Sequence, residues 1–115
     1  MKSTINTEGK RYTVEVFMMK PLEGVYRFGV QIWGGREIFP FSIRLPKKFI
    51  EDEIDANNDK GYLENLTMRV VVDHLKDILS LDRNGVMANL IYWFKDAKYK
   101  YDEEVKDGNS YKTAQ

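Results

Sequence analysis

The chain has 115 residues and a mass of 13.5 kDa, with 43% hydrophobic and 31% charged residues, no cysteine and no formal net charge at pH 7. That length suits one domain, 1–115, built on one core, and the composition excludes a disordered tail; the longest apolar runs, such as Leu90–Phe94, fall far short of the roughly 20 residues a membrane-spanning helix needs. The lack of cysteine excludes a disulfide framework and thiolate chemistry, and the polar start MKSTINTEGKRY is unlike a secretory leader, so a cytoplasmic protein is expected. The neutral total hides an asymmetry: residues 1–48 carry +5 and residues 49–115 carry −5.

Residues 1–9 are expected to be a flexible end. From Arg11 to Lys20 the alternation predicts a strand with Tyr12, Val14, Val16 and Met18 on one side and Thr13, Glu15, Phe17 and Met19 on the other. Pro21 and Gly24 mark a turn. Two further strands follow, joined by a two-residue turn at Gly34–Gly35, where glycine reaches positive φ at little steric cost. Counting back from that turn pairs Trp33 with Arg36, Val30 with Phe39, Phe28 with Phe41 and Tyr26 with Ile43. One face then gathers Tyr26, Phe28, Val30, Ile32, Phe39, Phe41, Ile43 and Leu45 as a core layer. Pro40 cannot donate to a ladder and predicts an edge strand, with Gly29 marking a bend or bulge.

KKFIEDEID predicts a short acidic helical turn, broken by NNDKG. From Tyr62 to Leu81, Met68, Val71, Val72, Leu75, Ile78 and Leu79 recur at helical spacing, with a stop at Gly85; the β-branched run Val70–Val72 argues locally against this helix. Residues 86–105 read two ways. Val86, Leu90, Trp93, Ala97, Tyr101 and Val105 form a helical stripe, but aromatic and β-branched content favours a hairpin turning at Lys95–Ala97, which is the expectation. Residues 107–115 are expected to be a flexible end. The predicted fold class is α+β: an antiparallel sheet, a three-stranded N-terminal meander plus the C-terminal hairpin, packed against one main helix.

Catalytic constellations are lacking. His74, the one histidine, adjoins Asp73, but neighbouring helical residues point apart and cannot act as base and orienter. No nucleophile elbow, Walker loop or Rossmann glycine loop occurs. Asp55, Asn57 and Asp59 have the first oxygen spacings of a calcium loop, yet Lys60 stands where glycine is needed and Leu66 where a bidentate glutamate belongs. A polar turn is the better reading, and no metal, cofactor or enzymatic activity is expected.

The second sheet face is the feature left over. It carries Phe17, Arg27, Gln31, Trp33, Arg36 and Arg44, arginines interleaved with rings. This suits a protein interface, where Trp, Phe and Arg concentrate binding energy, and equally a single-stranded DNA or RNA platform. The absence of a basic excess favours a protein partner, so a small adaptor or inhibitor is expected, with nucleic acid as the alternative and the membrane excluded. The acidic stretch Glu51, Asp52, Glu53, Asp55 and Asp59 is a second candidate surface, suited to a basic partner.

Overall fold

A computed structural model describes residues 1–35, 37–54 and 60–107. Four strands, β1 (Lys2–Thr7), β2 (Lys10–Leu22), β3 (Val25–Gly34) and β4 (Glu37–Pro46), form an antiparallel meander in the order β1-β2-β3-β4. Helices follow: α1 (Lys47–Phe49) runs into a π-helical turn (Ile50–Ile54), then come α2 (Lys60–Asp73), α3 (Leu75–Ser80) and α4 (Arg83–Asp107). The α+β class stands. Among the described residues no helix is long and apolar enough to cross a membrane.

The period-2 alternation of β2–β4 sorts side chains as the sequence requires. Val14, Val16, Tyr26, Phe28, Val30, Ile32, Ile43 and Leu45 point inward and are buried with Leu63, Leu66, Val70 and Val71 of α2 and Val86, Leu90, Phe94 and Ala97 of α4 in one cluster. A fully buried aliphatic or aromatic side chain contributes about 1.5–3 kcal/mol. That sum outweighs the few tenths of a kcal/mol by which each of Val70–Val72 disfavours a helix, so α2 forms with Val70 and Val71 in the core. At His74 the backbone turns to φ −118, ψ 23, separating α2 from α3. The single helix expected over 62–81 is thus two, bent at one residue.

Three expectations are corrected. The start of the chain is not loose: β1 pairs with β2 from Lys2↔Glu15 to Thr7↔Lys10. The hairpin expected within 86–105 is instead the long helix α4. Lys95–Ala97 offers no glycine or asparagine for a tight turn, only Asp96, whereas Val86, Leu90, Phe94 and Ala97 fall on one helical stripe buried in the shared core. Asp82 Oδ1 accepts from Gly85 N–H at 2.7 Å to cap its start, and Lys100 pairs with Asp96 at 3.1 Å along its exposed side.

The third correction is the register of β3 and β4. Gly34 pairs with Glu37, Ile32 with Phe39, Val30 with Phe41 and Phe28 with Ile43, two residues displaced from the expected pairing. A shift of two keeps every side chain on its face. The paired glycines have separate tasks: Gly35, at φ 64, makes the turn, while Gly34 stays in β3 beneath the Tyr12 ring, where a Cβ would lie 2.5 Å from Cε1. Phe39 remains on the inward side but is 36% exposed at the sheet's edge.

Candidate functional site

None of the described helices covers the outward face of β2–β4. Phe17 is 40% and Ile38 56% exposed, Ser42 and Arg44 are exposed, and Thr13, Glu15, Met19, Arg27, Gln31 and Trp33 are half-buried. Trp33 lies between Thr13 on β2 and Ile38 on β4. Lys2 Nζ stands 5.8 Å from the Trp33 ring centroid, a cation–π contact supplied by β1 that the sequence reading did not anticipate. Little in the polar stretch KSTINT announces a strand; only Ile5 breaks its polarity.

Below Trp33 the face continues through Glu15 and Gln31 to Phe17, whose ring crosses Gly29 on the neighbouring strand. Phe17, Met19, Gly29, Gln31, Pro40 and Ser42 border a shallow depression there. Arg27 is partly committed to the fold: its Nη2 and Nε donate to the Lys20 carbonyl at 2.6 and 3.1 Å, beside the irregularity between Met19 and Leu22. Arg44 sits directly opposite Arg27. Like charges across a strand pair repel, and neither guanidinium has a carboxylate partner among the described residues, so the two form a small cationic end to a face that otherwise mixes apolar and polar side chains. Of the residues singled out from sequence, Phe17, Arg27, Gln31, Trp33 and Arg44 therefore share this face, and Arg36 lies outside the described residues.

The second candidate surface is only partly described. Glu51 and Asp52 are exposed on the π-helical turn; the side chain of Glu53, with Asp55 and Asp59, lies outside the description. Asp52 accepts from Lys48 Nζ at 2.9 Å, and this hydrogen bond, with the carboxylate's charge, raises the lysine above its ordinary pKa. Asn57 also lies outside the described residues, so the calcium-like spacing has no geometry to weigh. Among the described residues no group of three or more His, Asp or Glu side chains is placed to hold a metal ion. His74 stacks on Trp93 of α4, ring centroids 4.4 Å apart and planes 10° from parallel, which gives it a packing role where the helices bend.

Fold and face together define an α+β domain with helices on one side of a four-stranded meander and an aromatic, partly cationic surface on the other. The chain has no significant match among protein-family models, curated proteins or solved structures.

Proposed function

We propose that this chain is a non-catalytic binding module, of adaptor or inhibitor type, that engages a protein partner through the open face of β2–β4. The observation carrying this reading is the exposure of Phe17 and Ile38 on the same outward face as Trp33, in a sheet whose other face already supplies the core. Single apolar residues are normal on a protein surface, but a tryptophan, a phenylalanine and an isoleucine on one sheet face that no described helix covers have the composition of an interface. Trp33 and Phe17 are the anchors, Ile38 extends the apolar contact, and Arg44 with Arg27 meets acidic groups of the partner. Glu15 interrupts the positive charge, which favours a protein over a nucleic-acid backbone.

The test has two arms. Immobilised protein captures its partner, and Trp33→Ala combined with Arg44→Glu abolishes capture while the thermal transition survives; a Tyr99→Ser control on α4 leaves capture intact. A labelled single-stranded oligonucleotide, followed by polarisation at two salt concentrations, binds weakly or not at all. Tight binding that falls steeply with salt would replace the protein reading by the nucleic-acid one.

A further inference from the structure

The edge strand β4 also has an apolar surface on its helical side. A cavity of about 240 Å³ runs between Ile38–Ser42 and the corner where α3 gives way to α4, walled there by Ile78, Leu81, Val86 and Met87. Ile38, Phe39, Leu81 and Met87 on its walls, and Ile91 one turn beyond Met87, are 36–56% exposed. We propose that this groove docks one amphipathic helix of a partner protein, apolar face inward and basic residues along its flank. The groove shares its β4 rim, Ile38, Pro40 and Ser42, with the open sheet face, but its other wall is α3 and α4, and the proposal does not depend on that reading.

Backbone chemistry argues for a helix over an added strand. Lys47 N–H donates to the Gly24 carbonyl at 3.1 Å, which fixes the alternation of the ladder: Phe28↔Ile43 and Val30↔Phe41 are hydrogen-bonded pairs, whereas the positions of Pro40 and Pro46 turn their backbone to the free edge. Pro40 has no N–H to offer there, so an extended partner meets a missing donor in mid-groove. A helix satisfies its own backbone and needs only side-chain contacts. The five residues from Ile38 to Ser42 span roughly 13 Å, enough for about two and a half helical turns. Met87, with its flexible thioether, adapts to the shapes inserted.

Charge and area select the partner. Glu37 precedes Ile38 and Asp82 follows Leu81; both are exposed, and neither forms an ion pair among the described residues. These carboxylates suit lysine or arginine beside an apolar stripe. A second copy of this chain fits less well, because a two-fold contact lays the same acidic rim against itself. The five exposed side chains offer on the order of 400 Å², about half of what each partner brings to a standard interface.

The probe is a synthetic helical peptide of about 14 residues with leucine at i, i+3, i+4 and i+7 and lysine elsewhere, titrated into the isotope-labelled protein. Saturable amide shifts are expected at Ile38–Ser42 and Ile78–Met87. A peptide with glutamate for lysine should bind at least about tenfold more weakly, as should the lysine peptide to Met87→Asp. Glu37→Lys, at an exposed position, makes the same test if Met87→Asp unfolds the protein. Absence of saturable binding, equal binding of the two peptides, or shifts that leave Ile78–Met87 unmoved overturns the proposal. So does a concentration-dependent dimer that Met87→Asp or Glu37→Lys dissociates.

Discussion

The Phe17 ring lies across Gly29, and the space a Cβ at Gly29 would need is occupied by the ring's Cζ and Cε atoms. The strand tolerates glycine's conformational freedom here because the neighbouring ring covers its backbone and keeps an aromatic surface in place on the outward face. Gly29→Ala should therefore force the ring aside, costing about 1–3 kcal/mol as overpacking does. In a Phe17→Ala background the same change should be neutral or stabilising, since alanine suits a strand better than glycine once the clash is gone. Urea unfolding of the four proteins measures the coupling, and equal costs in both backgrounds would contradict the arrangement.

Tyr26 is buried under the sheet, and its hydroxyl has no hydrogen-bond partner among the described residues. Burial first, and the negative charge of Glu51 second, raise the phenol above its ordinary value. The folded protein therefore holds this proton where the unfolded chain, titrating near pH 10, has released it. The stabilisation is complete below that pH and is lost as the pH climbs through the raised value. Tyr26→Phe should flatten this alkaline decline. At neutral pH it should be neutral or stabilising by about 1 kcal/mol, because no bond is broken. Chemical denaturation at pH 7 and above pH 10 checks both parts, and a Phe variant clearly less stable at pH 7 would mean the hydroxyl is satisfied.

Backbone polarity gives a third expectation. β1 pairs with β2 as far as Met1 and Val16, which exchange hydrogen bonds of 3.0 and 2.8 Å. Two residues on, the Met18 N–H donates instead to Glu64 Oε2 of α2 at 2.8 Å, so one carboxylate ties the helix to the strand where its neighbour ends. Removing the acceptor leaves a half-buried donor unsatisfied. Glu64→Ala should cost about 1–3 kcal/mol and Glu64→Gln less. Hydrogen exchange at Met18 should accelerate selectively in the alanine variant; unchanged exchange there would show that another acceptor suffices.

The legibility of this chain follows the strength of its local signals. Strands β2–β4 and their two faces are readable because Val14, Val16, Phe28, Val30 and Ile32 alternate with polar or outward residues over long runs. The register is ambiguous because either glycine of the pair can begin a two-residue turn, and the Tyr12 ring over Gly34, a contact between distant residues, makes the choice. β1 is hidden because its pairing depends on β2 rather than on its own apolar content. The α4 segment carries both patterns, and tertiary burial of Leu90 and Phe94 selects the helix. On the outward face the placement of Phe17 and Trp33 follows from alternation alone. The tether of Arg27 to Lys20 and the approach of Lys2 to Trp33 do not, since both depend on strand pairing.

The open face of β2–β4 as the contact surface is tested most directly by hydroxyl-radical footprinting of the protein, free and with its captured partner. Oxidation of Phe17, Met19 and Trp33 should fall sharply in the complex, while Tyr92 and Tyr99 on α4 stay as reactive as in the free protein. Unchanged reactivity at Phe17 and Trp33, with protection confined to the helices, would contradict the account.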